Sequence, residues 1–267
     1  MTLARGAASR LGGLKAHLRA GGQAFGCFLN SGSASVAEMM AAAGYDCLMI
    51  DAEHSPIGIE TMHAMATAIR SGGAYTLVRV PAMDPVAIKL ALDLGVDGIM
   101  APAINSAAEA KAFVAACRYP PEGHRGVAVS VIRASAYGVN AADYIREAND
   151  ALLVIAQIET ARGVAEAEAI AATPGIDLCF IGPHDLSASL GHMGQPDHPE
   201  AKAAIGQVEG AVRRAKCWLG TIPTASRAAD RLFADGYELV LGSADLAILR
   251  DAVRAQVERF KPAPRSS

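Results

Sequence analysis

Short apolar runs and longer amphipathic stretches follow one another along the whole chain. The runs AFGCFLN (24–30), CLMID (47–51), TLVRV (76–80), GIMAPAI (98–104), LLVIAQIE (152–159), IDLCFIGP (176–183), CWLGTIP (217–223) and ELVLGS (238–243) read as strands. Their near-continuous apolar character predicts burial on both faces, as in a parallel sheet. Helical periodicity covers 36–45, 59–73, 84–95, 106–121, 163–175, 200–216, 225–236 and 245–261. Local chemistry sets several ends. Asp84-Pro85 opens one helix, Ser106 with Glu109 three residues on reads as a capping box, and Gly44 and Gly72-Gly73 close two others. One interruption breaks the rhythm: 122–140 is loop-like and 141–150 a short helix.

Eight strands, each followed by a helix, match the count of a (β/α)8 barrel. A doubly wound open sheet is the alternative. It loses ground because no GxGxxG follows the first strand and no GxxxxGK[ST] occurs in the chain. The expected organisation is an N-terminal extension and helix (1–21), one domain (22–261) and a disordered tail, PAPRSS (262–267).

Of the 267 residues 52% are apolar and only 5% aromatic. That suits Ala-rich helices around short strands better than a β-sandwich. The net charge is −3, with lysine and arginine scattered, so neither a nucleic acid nor an anionic membrane is an expected partner. No apolar run reaches the ~18 residues of a spanning helix, and the N-terminus has no signal-peptide apolar region. The expectation is a cytoplasmic protein. Cys27, Cys47, Cys117, Cys179 and Cys217 form no CxxC and mostly lie in apolar runs, which predicts buried, reduced thiols.

In such a barrel the chemistry sits at the carboxyl ends of the strands. There the sequence offers Asp51, Glu53 and His54; Arg79; Gln157 and Glu159; and Gly182, His184 and Asp185. Glu159 and Asp185, on consecutive strands, can project toward one point and suit a hard divalent cation. Alternatively each caps the helix or turn that follows. Arg79 lies within a buried strand and needs an anion there: a substrate carboxylate or enolate, or a structural partner such as Asp51 or Asp93. Acid–x–acid–His at 51–54 reads as a metal cluster, as a base with its orienting carboxylates, or as a polar strand end. No lysine lies at a strand's carboxyl end, which argues against imine chemistry and for a metal Lewis acid. His184 beside Asp185 is a candidate for facing substrate. His124 and His192, on loops, are candidates for a pocket rim, whereas His17, His63 and His198 read as surface or packing residues.

DAEHSP, LVRVP, LALDLGVDGIMAPAI, RYPPEGHRGV, QIET and FIGPHDLSASLG, in this order and spacing, resemble the HpcH/HpaI family of metal-dependent pyruvate aldolases. The likeness runs from about residue 22 to 260. It implies a modified (β/α)8 TIM barrel of the phosphoenolpyruvate/pyruvate-domain type, its last helix swapped onto a neighbouring subunit, in a homo-oligomer that is commonly a hexamer, a trimer of dimers. It implies a divalent cofactor, Mg²⁺, Mn²⁺ or Co²⁺, held by Glu159 and Asp185. The catalytic histidine matches His54 and the pyruvate-binding arginine Arg79. Gln157 matches a pocket glutamine, Asp51 and Asp93 match carboxylates associated with the histidine, and the backbone around Gly182 and His184 matches the seat of the pyruvate carboxylate. The implied reaction is reversible cleavage of a 4-hydroxy-2-oxo acid to pyruvate, or hydroxypyruvate, and an aldehyde. This sequence departs from the family at His184, where a small residue is common. The alternatives are a CoA-thioester lyase of the malyl-CoA type and a non-catalytic keto-acid sensor.

Overall fold

The computed structural model describes residues 13–260. Most of the expected N-terminal extension and the whole of the expected tail lie outside the described residues. Eight parallel strands close in sequence order into a barrel, the last pairing with the first. They are β1 (Ala24–Leu29), β2 (Cys47–Asp51), β3 (Tyr75–Arg79), β4 (Gly98–Ala101), β5 (Leu153–Ile158), β6 (Leu178–Ile181), β7 (Trp218–Thr221) and β8 (Leu239–Ala244). Helix α1 (Gly13–Arg19) precedes the barrel. Around it run α2 (Ala34–Ala43), α3 (Ile59–Gly72), α4 (Pro85–Asp93), α5 (Ala107–Cys117), α6 (Ala141–Ala151), α7 (Ala161–Ala165), α8 (Ala167–Ala171), α9 (Pro183–Ser189), α10 (Pro199–Arg214), α11 (Ala229–Ala234) and α12 (Asp245–Phe260). No described helix is long and apolar enough to cross a membrane.

The two-residue strand period divides the core into two shells. Met49, Leu77, Met100, Ile155, Phe180 and Leu241 fill the barrel interior, and Leu14 and Leu18 of α1 complete that cluster from below. Lys15 pins the plug: its Nζ lies 2.8 Å from Asp177 and donates to the Leu152 carbonyl at 3.1 Å. The alternate positions, Leu48, Ile50, Val78, Ile99, Val154 and Ile181, face outward and pack with Met65, Ile69, Phe113 and Val208 of the helices. Parity therefore decides where the strand ends point. The inward series of β2 continues from Met49 to Asp51, that of β3 from Leu77 to Arg79, that of β5 from Ile155 to Gln157 and Glu159, and that of β6 from Phe180 to Gly182.

Several expected elements change at their edges. Asp84 and Ser106 cap α4 and α5 as expected, accepting from Val86 N and Glu109 N. Glu109 reaches back one residue further than a capping box requires, to Asn105 N at 2.7 Å. The strand expected over 98–104 stops at Ala101, because Ala103 turns into a left-handed backbone with φ +50°. The helix expected over 163–175 is two short ones that meet at Glu166. The stretch PHDLSAS, expected only as a turn, is the helix α9, with Pro183 in its first turn. The helix expected from 225 starts at Ala229, after a turn in which Thr224 and Arg227 pair. All five cysteines carry free thiols.

Only Asp245 of α12 is buried. Leu246, Leu249, Val253, Val257 and Phe260 are exposed along it, at the three- and four-residue spacing of a single helix face.

Candidate active site

Asp51 ends β2 and Arg79 ends β3, at the same register. Arg79 Nε donates to Asp51 Oδ1 at 2.9 Å and Nη2 to Asp51 Oδ2 at 2.8 Å. This fork of parallel hydrogen bonds is the geometry that favours arginine over lysine. The other guanidinium nitrogen, Nη1, lies 3.1 Å from Glu53 Oε2 and 3.4 Å from Gln157 Oε1. The Phe28 ring covers the cation, its centroid 4.8 Å away. Burial alone would lower the Arg79 pKa, but Asp51, Glu53 and Glu159 more than offset it. For Asp51 burial opposes ionisation, yet the bonds and charge of Arg79, with Asn30, hold its carboxyl below the usual range.

Asp51 also shapes the turn after β2. Its Oδ1 accepts the backbone N–H groups of Glu53 at 3.2 Å and His54 at 3.5 Å. The His54 imidazole is turned to the mouth, with 58% of the side chain exposed, and its Nε2 lies 3.6 Å from Glu53 Oε2. The carboxylate beside the ring is therefore Glu53, whereas Asp51 holds the backbone beneath it. Asp93, at the end of α4, spends its carboxylate on Arg125 Nη2 at 2.8 Å. The tie to the histidine implied for Asp93 has no counterpart among the contacts of the described residues.

Glu159 follows β5 directly. Thr160, not Glu159, caps the next helix, accepting from Gly163 N, which leaves the glutamate free for the site. Its Oε1 accepts from Ala103 N at 2.8 Å and its Oε2 from the Gln157 side-chain amide. Burial, then the charges of Asp185 and Glu53, push its pKa up to about 7. Glu53 is raised as well, by burial first, with Asp51 and Asp185 adding to it. Asp185 stands in the first turn of α9, whose N-cap is Gly182 without a side-chain cap. A Cβ on Gly182 would come within 2.7 Å of Glu159 Oε2 and 3.0 Å of Gln157 Nε2. Only glycine leaves that space beside the carboxylate.

These observations fit a divalent cation. Glu159 and Glu53 are both raised, by burial first and then by neighbouring carboxylate charge, so the site concentrates negative charge that a cation would relieve. His184 is exposed beside them and lines a trough of about 660 Å³ with His198, Gln195, Asp197 and Thr224.

Three participants escape sequence reasoning. Asn30 donates to Asp51 Oδ2 at 2.7 Å and to Ser55 Oγ at 2.8 Å. Asp245 accepts from Asn30 N and Ser31 N, joining the ends of β1 and β8. Ala103 supplies the backbone donor to Glu159. The inward parity of β1, which runs through Phe28 to Asn30, is the signal that would have found the asparagine.

Comparison with known proteins places the chain among relatives. Residues 24–252 match the family model described as HpcH/HpaI aldolase/citrate lyase. A hydroxypyruvate/pyruvate aldolase of Chromohalobacter salexigens is 38% identical, over 89% of this chain and 93% of its own. A 2-dehydro-3,6-dideoxy-6-sulfogluconate aldolase of Pseudomonas putida is 41% identical, over 84% and 87%. The crystal structure of an HpcH/HpaI aldolase/citrate lyase family protein from Burkholderia cenocepacia superposes with a TM-score of 0.88 at 40% identity, covering 94% of this chain and all of that one. Matched from residue 24 to 252 by the family model and superposed over 94% of its length, this chain is a member of the HpcH/HpaI aldolase/citrate lyase family.

Proposed function

We propose that the protein is a divalent-metal-dependent aldolase, a carbon–carbon lyase that reversibly cleaves 4-hydroxy-2-oxo acids to pyruvate, or hydroxypyruvate, and an aldehyde. The observation that supports the reading is the buried Glu159 carboxylate, near enough to Asp185 and Glu53 to be raised by their charges and to act on Arg79 of the Arg79–Asp51 fork. Relatives near 40% identity carry aldolase names, which favours this reading over the CoA-thioester lyase.

Glu159 and Asp185 would hold the ion, Mg²⁺, Mn²⁺ or Co²⁺ by their oxygen chemistry. A divalent ion there would act as a Lewis acid toward the keto and carboxylate oxygens of the 2-oxo acid. Backbone N–H groups at the start of α9, around Gly182 and His184, would receive the substrate carboxylate. Gln157 and Ala103 fix the orientation of Glu159. In cleavage His54 takes the proton from the C4 hydroxyl, the C3–C4 bond breaks, and its electron pair passes into the enolate of the donor. Arg79 Nη1, held by Glu53 at 3.1 Å, would turn to the enolate oxygen and stabilise it, a contribution of about 3–4 kcal/mol for one well-placed donor. His54 then returns the proton to C3. Glu53 sits between Arg79 and His54 and positions both, Asp51 locks Arg79, and Asp93 holds Arg125 behind α4.

The bare apolar face of α12 supports a homo-oligomer in which this helix packs on a second copy of the chain, in the hexameric arrangement expected for the family.

The test is cleavage of a 4-hydroxy-2-oxo acid followed by pyruvate release. Excess EDTA is expected to abolish it and Mg²⁺, Mn²⁺ or Co²⁺ to restore it. Undiminished turnover in EDTA, or a borohydride-trapped adduct with pyruvate, would reject the reading.

A further inference from the structure

Between α9 and α10 the segment GHMGQPDHPE (191–200) folds back on itself. Gly191 and Gly194 take left-handed backbone, φ +86° and +76°, positions that glycine adopts without steric cost. Three backbone bonds wind the loop: His192 N to Ser187 O at 2.8 Å, Gln195 N to His192 O at 3.0 Å and His198 N to Gln195 O at 3.0 Å. The result brings three side chains together that lie far apart along an extended chain. The His192 and His198 rings stack with centroids 3.5 Å apart. His192 Nε2 lies 2.6 Å from Glu200 Oε2. One ligand atom from each of His192, His198 and Glu200 falls within 4.8 Å of the other two.

Helix capping accounts for part of this. His198 Nδ1 accepts from Glu200 N at 3.3 Å and so satisfies the start of α10. It does not account for the second imidazole, or for the Glu200 carboxylate lying 2.6 Å from that ring. An exposed ion pair of this kind contributes little by itself. The cap does fix the His198 ring and leaves its Nε2 free.

We propose that His192, His198 and Glu200 form a second divalent-cation site, for an ion of the Zn²⁺, Ni²⁺ or Co²⁺ kind, separate from Glu159 and Asp185. Two imidazole nitrogens and one carboxylate oxygen suit these borderline ions, whereas Mg²⁺ prefers an all-oxygen set. Bonds of ~2.1 Å in a tetrahedral shell place ligand atoms roughly 3.4 Å apart. His198 is held by its cap, so the His192 ring would swing out of the stack and the exposed Glu200 would turn with it to bring the three ligand atoms to that spacing. Water completes the shell on the open side. His198 also lines the trough beside His184, so the ion would clasp the loop that forms one wall of that trough. This site stands independently of the aldolase reading.

The test is ion stoichiometry, by dialysis against Zn²⁺ followed by elemental analysis, with Co²⁺ visible absorption as a second readout. The wild-type chain is expected to hold two ions. His192→Ala and Glu200→Gln are each expected to hold one and to keep Mg²⁺-supported turnover. The variant with Glu159→Gln and Asp185→Asn together is expected to keep one ion, and to lose it when His192→Ala is added. A wild-type chain that holds no ion His192→Ala removes overturns the proposal, whatever the carboxylate variant does to activity. Loss of every ion on Glu159→Gln and Asp185→Asn also overturns it and leaves the aldolase reading standing.

Discussion

Arg79 and Asp51 stand at matched positions on adjacent strands and share two hydrogen bonds, 2.9 and 2.8 Å long. Both side chains are almost fully buried. Removing one partner leaves an uncompensated charge in the barrel, which typically costs about 3–5 kcal/mol. Asp51→Ala is therefore expected to lower unfolding stability by about that much, read from urea denaturation. Arg79→Lys keeps a charge but loses the fork. It is expected to fold and to lose roughly 10²–10³-fold in kcat, the range for one oxyanion donor.

His54 is exposed at the mouth, its backbone N–H held by Asp51 and its ring 3.6 Å from Glu53. Its substitution should spare the fold and strike the proton transfers. His54→Ala is expected to reduce turnover by about 10²–10⁴-fold, with an unchanged thermal midpoint. Near-normal turnover would remove His54 from the mechanism.

Gly182 has φ −98°, a backbone that alanine also adopts. The cost of Gly182→Ala therefore isolates the collision of a Cβ with Glu159 Oε2 at 2.7 Å. Mn²⁺ affinity, measured by calorimetry, is expected to fall at least about tenfold, roughly 1.4 kcal/mol, while far-ultraviolet circular dichroism stays the same.

The Glu159 carboxyl, pushed up to about 7 by burial and by Asp185 and Glu53, gives a signed pH dependence. Its ordinary value is 4.5, so between these pH values the folded metal-free chain binds more protons than the unfolded one. Its contribution to stability is fully present below 4.5 and is lost as pH rises to 7. A cation requires the ionised form, so Mn²⁺ affinity should weaken below pH 7 by up to about tenfold per pH unit. Titrations at pH 8, 7 and 6 check the affinity, and EDTA-treated protein should melt higher at pH 6 than at pH 8.

Leu249, Val253 and Val257 lie on the exposed face of α12. Val253→Asp is expected to dissociate the proposed oligomer, seen by light scattering, because a carboxylate cannot be buried there without a partner. An unchanged mass would show that α12 is not the assembly surface.

The barrel was legible because eight apolar runs each carry enough burial to override local ambiguity. Boundaries slipped where a single backbone angle intervened, as at Ala103, or where a helix is too short to show a period, as at α9. At the site, Glu159, Asp185, Arg79 and His54 could be singled out because ionisable groups at the ends of apolar strands are costly without a purpose. The division of labour between Glu53 and Asp51 was not legible. Both lie two residues apart in one turn, and only the position of the Arg79 fork tells which carboxylate is already engaged. Asn30 escaped because an amide carries no charge to mark it, and its partner belongs to the next strand.

Helix α1 closes the lower end of the barrel with Leu14, Leu18 and the Lys15–Asp177 pair. With that end closed and the interior filled by side chains, substrates can reach the candidate site only from the carboxyl ends of the strands. On the proposed reading the donor acid would settle beside Arg79 and Glu159 before an acceptor follows it, and on the way out the aldehyde would leave first. Steady-state kinetics in the synthetic direction should accordingly be ordered, with pyruvate as the leading substrate.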